Sequence, residues 1–208
     1  MRAAGVRAGI GVDMHRLVAG RALILGGVTV PYPRGLEGDS DADVLTHAVL
    51  DALLGAAALG DIGTHFGVGR PEMMGISSLR LLERVVSLLA AAGLQPHNVD
   101  ATVVAEAPKL GPQIPGMRAN LAKVLGVPET QVNVKGTTAK GMGWLGAGEG
   151  IACLAVATVV PSRRPVGGRG AARPGPVRQQ TPRGGAARRH TSLRRQARRG
   201  SGGRSGRG

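Results

Sequence analysis

The chain has 208 residues and a formal net charge of +14, but residues 1–161 carry 13 Lys and Arg against 13 Asp and Glu, and residues 162–208 carry 14 Arg and no acid. The first part is a neutral domain long enough for one core, so the basic excess says nothing about what that domain acts on. One Tyr, one Phe, one Trp and one Cys, with no apolar run near ~20 residues, exclude a base-stacking surface, an intrachain disulfide and a membrane helix.

Residues Arg7 to His15 alternate and predict a first strand. Ala22 to Leu25 and Val28 to Val30 flank Gly26-Gly27, the signature of a hairpin, and residues 31–35 leave it as a loop. Ser40 is the expected N-cap of a helix running to Gly60, with Asp41 and Asp43 in its first turn and an apolar stripe from Val44 to Ala56. Gly60 to Gly63 ends that helix, and residues 64–76 read as a loop rich in Gly and Met. Ser77 caps a second helix that ends near Gly93. Val99 to Ala105 is a β-branched strand, and Pro108 to Pro112 a rigid turn. Ile114 to Leu125 is a third helix stopped by Gly126, Val132 to Lys135 a strand, Thr137 to Glu149 a Gly-rich loop and Ile151 to Val160 a last apolar strand. Alternation of this kind around one core is α+β or α/β. Cys153, inside an apolar run, reads as a small buried hydrophobe in a chain suited to a reducing compartment. Beyond Pro161 the scattered apolar residues cannot offset chain entropy by burial, and the Arg-rich segment is expected to be disordered.

The candidate chemistry begins at Asp13 and His15, two residues apart and therefore on one face of a strand. His47, from the first helix, completes an O, N, N donor set. Three such ligands with one open position is the arrangement of a catalytic zinc site; a polar strand end beside a satisfied histidine is the other reading. Asp43 and Asp51 lie four residues before and after His47. Either can hold its far nitrogen, or both are ordinary helix-surface charge.

Six segments carry a resemblance: GVDMH (11–15), LILGGVTVPY (23–32), GLEGDSDADVLTHAVLDALLGAAALGDIG (35–63), VDATVVAEAPKLGPQIPGMR (99–118), VNVKGTT (132–138) and GEGIACLAV (148–156). In order and spacing, over about residues 7–160, the chain resembles the 2-C-methyl-D-erythritol 2,4-cyclodiphosphate synthases of the non-mevalonate isoprenoid pathway. The resemblance implies an α+β domain over 1–161, a ferredoxin-like βαβ sandwich of a mixed sheet with helices on one face, with the tail 162–208 outside it. It implies a cytoplasmic homotrimer whose active sites lie at subunit interfaces. The implied reaction cyclises 4-diphosphocytidyl-2-C-methyl-D-erythritol 2-phosphate to the 2,4-cyclodiphosphate and releases CMP. Any cytidylyltransferase partner is expected to be a separate protein, since none is fused before Met1. Asp13, His15 and His47 are then ligands of a divalent metal, zinc in most of the family, with magnesium or manganese on the diphosphate.

The implied substrate-binding residues follow the motifs. Asp39 and Ser40 lie at the phosphate, Ser40 matching a serine that hydrogen-bonds it. Asp61, Ile62 and Gly63 match the DIG motif that holds the methylerythritol hydroxyls, and Phe66 follows it. Ala105, Lys109 and Leu110 match the cytosine pocket, and Thr137 and Thr138 the pair on the nucleotide phosphates. Thr138 and Lys140 occupy the catalytic positions, and Trp144 an apolar rim. Each has an ordinary structural alternative: Ser40 as a helix cap, Asp61 as a helix end, Lys109 in a solvated turn, the threonines at a strand end.

The chain departs from the family's pattern around the phosphates. H-S-D-[GA]-D is Asp39-Ser40-Asp41-Ala42-Asp43 here, so an acid replaces a histidine. F-P-D-[TS]-D is Phe66-Gly67-Val68-Gly69-Arg70, without its two carboxylates. T-T-[TS]-E is Thr137-Thr138-Ala139-Lys140, a cation where a metal-binding glutamate is expected. The later glycine loop has Trp144, and Ala147 where an arginine reaches a phosphate. These changes leave two readings, a working synthase in which Lys140 and Arg70 compensate, and a metal- and cytidine-nucleotide-binding homologue with impaired turnover. The Arg-rich tail adds a separate one, salt-dependent nucleic-acid binding.

Overall fold

A computed structural model describes residues 5–67 and 70–162. The expectations for the Arg-rich tail concern residues outside these, apart from Ser162, whose N–H donates to the Gly93 carbonyl at 2.9 Å. Strands β1 (Arg7–Ala19), β2 (Leu23–Leu25), β3 (Val28–Val30) and β4 (Arg34–Leu36) precede helix α1 (Val44–Ala57). After the short helix α2 (Ile62–Phe66) come α3 (Ser78–Ala91), β5 (Leu94–Val104), α4 (Ile114–Leu125), β6 (Val132–Thr137), the four-residue α5 (Gly143–Gly146) and β7 (Gly150–Pro161). The result is an α+β fold: a mixed five-stranded sheet in the order β4-β1-β7-β5-β6, with β2 and β3 as a separate hairpin. Among the described strands only β5 and β6 pair in parallel, joined through α4. No helix among the described residues is long and apolar enough to cross a membrane.

The helices pack where glycine allows it. Along β1 the inward residues are Gly9, Gly11, Asp13, His15 and Leu17, and α1 lies directly on them. A β-carbon built on Gly11 would stand 2.0 Å from the Ala48 carbonyl oxygen, and one on Gly9 2.2 Å from that of Ala52. Bare backbone on the strand thus meets the small residues Ala48, Ala52 and Ala56 of the helix, and the two axes come close together. Inside, Leu45, Val49, Leu53, Leu82, Leu89, Val103, Leu121 and Cys153 are fully buried. The other face of the sheet is also apolar but exposed: Ile10 pairs with Val156 and Val12 with Leu154, and all four, with Met14, lie open to solvent.

Several boundaries move. Helix α1 starts at Val44 rather than Ser40, because Ala42 adopts φ +54° and Asp43 becomes the N-cap, its carboxylate accepting the Thr46 N–H at 3.0 Å. Strand β1 continues past His15 to pair Leu17 with Leu36, which turns part of the expected loop after the hairpin into β4. Asp61 caps α2 at 2.7 Å, and α5 occupies part of the expected Gly-rich loop. Strand β5 begins at Leu94 and crosses Pro96 with a register shift before Asn98.

Candidate active site

Strand β1 presents Asp13 and His15 toward α1, and the close strand–helix approach delivers His47 to them. His15 Nε2 lies 2.9 Å and His47 Nδ1 3.0 Å from the same oxygen, Asp13 Oδ2. One donor atom from each residue falls within a 4.8 Å span.

The hydrogen bonds around the trio decide what these atoms can be. His15 Nδ1 is 2.5 Å from the Glu37 carbonyl oxygen, which only accepts, so Nδ1 carries a proton, and in the neutral ring Nε2 carries the lone pair. This explains why Nε2, buried and close to Asp13, has no hydrogen-bond partner. At His47 the far nitrogen Nε2 lies 2.9 Å from Ser78 Oγ and 3.2 Å from Ser40 Oγ. The Ser78 hydroxyl already donates to Asp41, so toward His47 it accepts, which leaves a lone pair on His47 Nδ1 as well. Two imidazole lone pairs and a carboxylate oxygen therefore face one another at about 3 Å. A proton on either ring or a bound cation satisfies such a group, and three N/O donors of this kind suit a divalent metal such as zinc. Burial pushes the Asp13 carboxyl up, but when the rings are protonated toward it the hydrogen bonds and charges of His15 and His47 outweigh this and hold the group well below the usual carboxylate range. Burial lowers His15 in turn, and the Asp13 carboxylate more than reverses this.

Neither aspartate flanking His47 holds its far nitrogen. Asp43 is fully buried and accepts from the N–H groups of Gly26 (2.9 Å), Gly27 (2.8 Å) and Thr46, and from Thr46 Oγ1 (2.7 Å). Burial raises its carboxyl, and these donors oppose the rise. It ties the β2–β3 hairpin to the start of α1. Asp51 instead accepts the Ile62 N–H at 2.9 Å and so anchors the DIG segment to α1.

A cavity of about 220 Å³ opens beside the trio and is lined also by Asp39, Ser40, Ile62, Gly63 and Phe66. Met73 and Leu81, which sequence reasoning did not single out, complete its wall. The backbone carbonyls of Gly38 and Ser40 are gripped by the Arg21 guanidinium, at 2.7 Å each. A second cavity, of about 280 Å³, collects Ala105, Lys109, Leu110, Thr137 and Thr138. Trp144 lines neither of these; it borders a third opening with Met14, His15, Arg16 and Glu149. Asp61 is spent capping α2, and Lys140, at φ +56°, lines none of the three cavities. Within one chain the residues expected at the metal and those expected at the cytosine and nucleotide phosphates thus form two separate clusters, with Trp144 beside His15 and with Asp61 and Lys140 outside all three openings. Ser78, Asp41 and Arg21 were missed because each acts through a fold contact, and no spacing signal marks them.

Residues 6–160 match the model of the YgbB family. The chain belongs to the YgbB family. A 2-C-methyl-D-erythritol 2,4-cyclodiphosphate synthase of Symbiobacterium thermophilum is 58% identical over 151 residues, covering 73% of this chain and 96% of the relative. One of Desulforamulus reducens is 56% identical over 154 residues, covering 74% and 98%. Among solved structures, IspF of Plasmodium falciparum in complex with CDP aligns with a TM-score of 0.67 at 31% identity, covering 76% of this chain and 97% of that one. The family assignment agrees with the resemblance carried by the six sequence segments.

Proposed function

We propose that the chain carries the 2-C-methyl-D-erythritol 2,4-cyclodiphosphate synthase activity for which its relatives are named. The observation that carries this reading is the trio of facing acceptors at Asp13, His15 and His47, opening on a cavity lined by Ser40 and the DIG segment. The substrate's 2-phosphate oxygen forms a bond to the β-phosphorus of its diphosphate, the bond to the CMP oxygen breaks, and an eight-membered ring closes. Two anions must meet, so the catalyst needs positioning and positive charge more than a protein nucleophile. Zinc held by Asp13, His15 and His47 supplies Lewis acidity when bound, and magnesium or manganese belongs on the diphosphate.

The chain's own groups do the placing. Ser40 Oγ accepts the Ala42 N–H at 3.1 Å, which leaves its proton for a phosphate oxygen. Ile62 and Gly63, held by Asp51, face the same cavity and suit the methylerythritol end. The cavity of Ala105, Lys109 and Leu110 suits the cytosine, with Thr137 and Thr138 at its mouth for the nucleotide phosphates. Thr138 and Lys140 are the proposed catalytic positions, the ammonium of Lys140 neutralising phosphate charge in place of the metal that the family's glutamate helps to hold. A cytoplasmic homotrimer belongs to this reading. The exposed apolar sheet face of Ile10, Val12, Met14, Leu154 and Val156 supports it, because such a face needs a cover, and a subunit interface would bring the two clusters of site residues together. The ferredoxin-like arrangement, with residues 1–161 as the catalytic domain, is part of the same reading.

The test is CMP release from 4-diphosphocytidyl-2-C-methyl-D-erythritol 2-phosphate by the full chain. It is run with zinc and magnesium and repeated after chelation. Turnover that chelation abolishes and zinc restores is expected. Bound zinc and CDP without turnover would favour the second reading, a nucleotide-binding homologue, for which the acid at Asp39 and the missing arginine at Ala147 argue.

A further inference from the structure

Neither Ser78 nor Asp41 lines the cavity beside the trio or that of Ala105 and Lys109, yet both are tied to the trio. Ser78, fully buried at the first turn of α3, lies 31 residues from His47 in sequence. Its Oγ is 2.9 Å from His47 Nε2, and its hydroxyl proton goes to Asp41 Oδ1. The other Asp41 oxygen accepts the Ser78 backbone N–H at 3.0 Å, so the carboxylate is gripped by both donors of one residue. Ser77, the N-cap residue of α3, makes no side-chain cap bond of its own, and Asp41 takes that place from a distant loop.

We infer that Asp41 and Ser78 form a positioning relay that fixes the His47 tautomer and strengthens His47 Nδ1 as a ligand. The proposal rests on the reading of Asp13, His15 and His47 as metal ligands. Its order of bonds is forced by donor count. A carboxylate only accepts, so the Ser78 hydroxyl donates to it. The Ser78 oxygen is then left to accept, so His47 Nε2 donates. In the neutral ring Nδ1 then keeps its lone pair, on the side of Asp13 Oδ2, 3.0 Å away. A negative charge at the far end of the chain raises the electron density of the ring, as outer carboxylates do for ligating histidines. Ser40 Oγ is 3.2 Å from the same nitrogen but has no carboxylate behind it; its partner is the Ala42 N–H. The two hydroxyls therefore divide the work, Ser78 for the ligand and Ser40 for the substrate.

The experiment compares wild type, Ser78→Ala and Ser40→Ala as full-length, metal-free protein. Histidine side-chain nitrogens are read by 15N NMR, and zinc affinity by competition with a chromophoric chelator. Wild-type His47 is expected to carry its proton on Nε2. Ser78→Ala is expected to shift that nitrogen and to weaken zinc about 10–100-fold, while Ser40→Ala changes zinc affinity less than about threefold. Ser78→Ala leaves the backbone N–H at position 78 for Asp41, so the start of α3 keeps its acceptor. A proton on Nδ1 in wild type would overturn the relay, and that result needs no variant. So would a Ser78→Ala protein that binds zinc as tightly as wild type. If wild type binds no zinc, the metal reading fails and the relay is decided by the nitrogen shift alone, present or absent.

Discussion

At the scale of single residues, the site is a problem of donors and acceptors, and its chemistry follows from which atoms lack protons. In their neutral forms His15 and His47 each donate their ring N–H to a partner outside the trio, so both turn a lone pair toward Asp13. Lys140 is the departure that bears most on turnover. Lys140→Glu restores the family's carboxylate but removes the only positive charge that residues 137–147 carry. If Lys140 compensates, the variant loses about tenfold in kcat, or ~1.4 kcal/mol of transition-state stabilisation, at fixed magnesium. A rise in kcat would show instead that the second metal position was the missing part. Cys153 makes a prediction about pH. Burial, with the charges of Asp43 and Asp13, pushes its thiol far above the ordinary value of 9.0. The folded chain then keeps a proton that the unfolded chain sheds. The contribution is neutral below pH 9.0, and folding stability falls as pH rises above it, by about 1.4 kcal/mol per unit from this group. Urea melts between pH 8 and 10 should show a steeper alkaline decline for wild type than for Cys153→Ala.

At the scale of elements, the approach of α1 to β1 decides where His47 stands. Gly11→Ala places a methyl into the Ala48 carbonyl, a backbone group that cannot step aside. The expected cost is about 3 kcal/mol or more, read as a lower urea midpoint, together with weaker zinc binding as the helix shifts. A variant as stable as wild type would show that the helix is free to retreat. The elements that long periodic stretches define were legible: α1, α3 and α4, the Gly26-Gly27 hairpin and β7 follow from stripe, turn and run. The missed ones are short. With three residues in β4, five in α2 and four in α5, there is no room for a period to repeat. The displaced cap at α1 has another cause. Ser40 and Asp43 are both good caps, and the choice turned on the positive φ of Ala42, a conformation that no residue type announces. The ligand trio was legible because Asp13 and His15 share a strand face and His47 lies on a marked helix. Ser78 was not, since only the packing of α3 against α1 brings it there.

At the scale of the whole molecule, the five-stranded sheet is covered on one face and open on the other. Burying Ile10, Val12, Met14, Leu154 and Val156 in an assembly would remove from water the apolar surface that a single chain leaves exposed. Sedimentation equilibrium of wild type is expected to give three times the chain mass of 21.2 kDa. Leu154→Asp, which sets a charge in the middle of that face, is expected to give the mass of one chain and to lose turnover while keeping its zinc. A Leu154→Asp protein of unchanged mass would place the interface elsewhere.

The two histidines of the trio are held in unlike ways, and this bears on how the protein tolerates genetic drift. His15 leans on the main-chain carbonyl of residue 37, which any amino acid supplies, so position 37 can vary without retuning the ligand. His47 leans on the side chains of two residues that are 37 positions apart and touch only in the folded chain. Neutral substitution can therefore wander freely behind one histidine, while behind the other Asp41 and Ser78 must be inherited together.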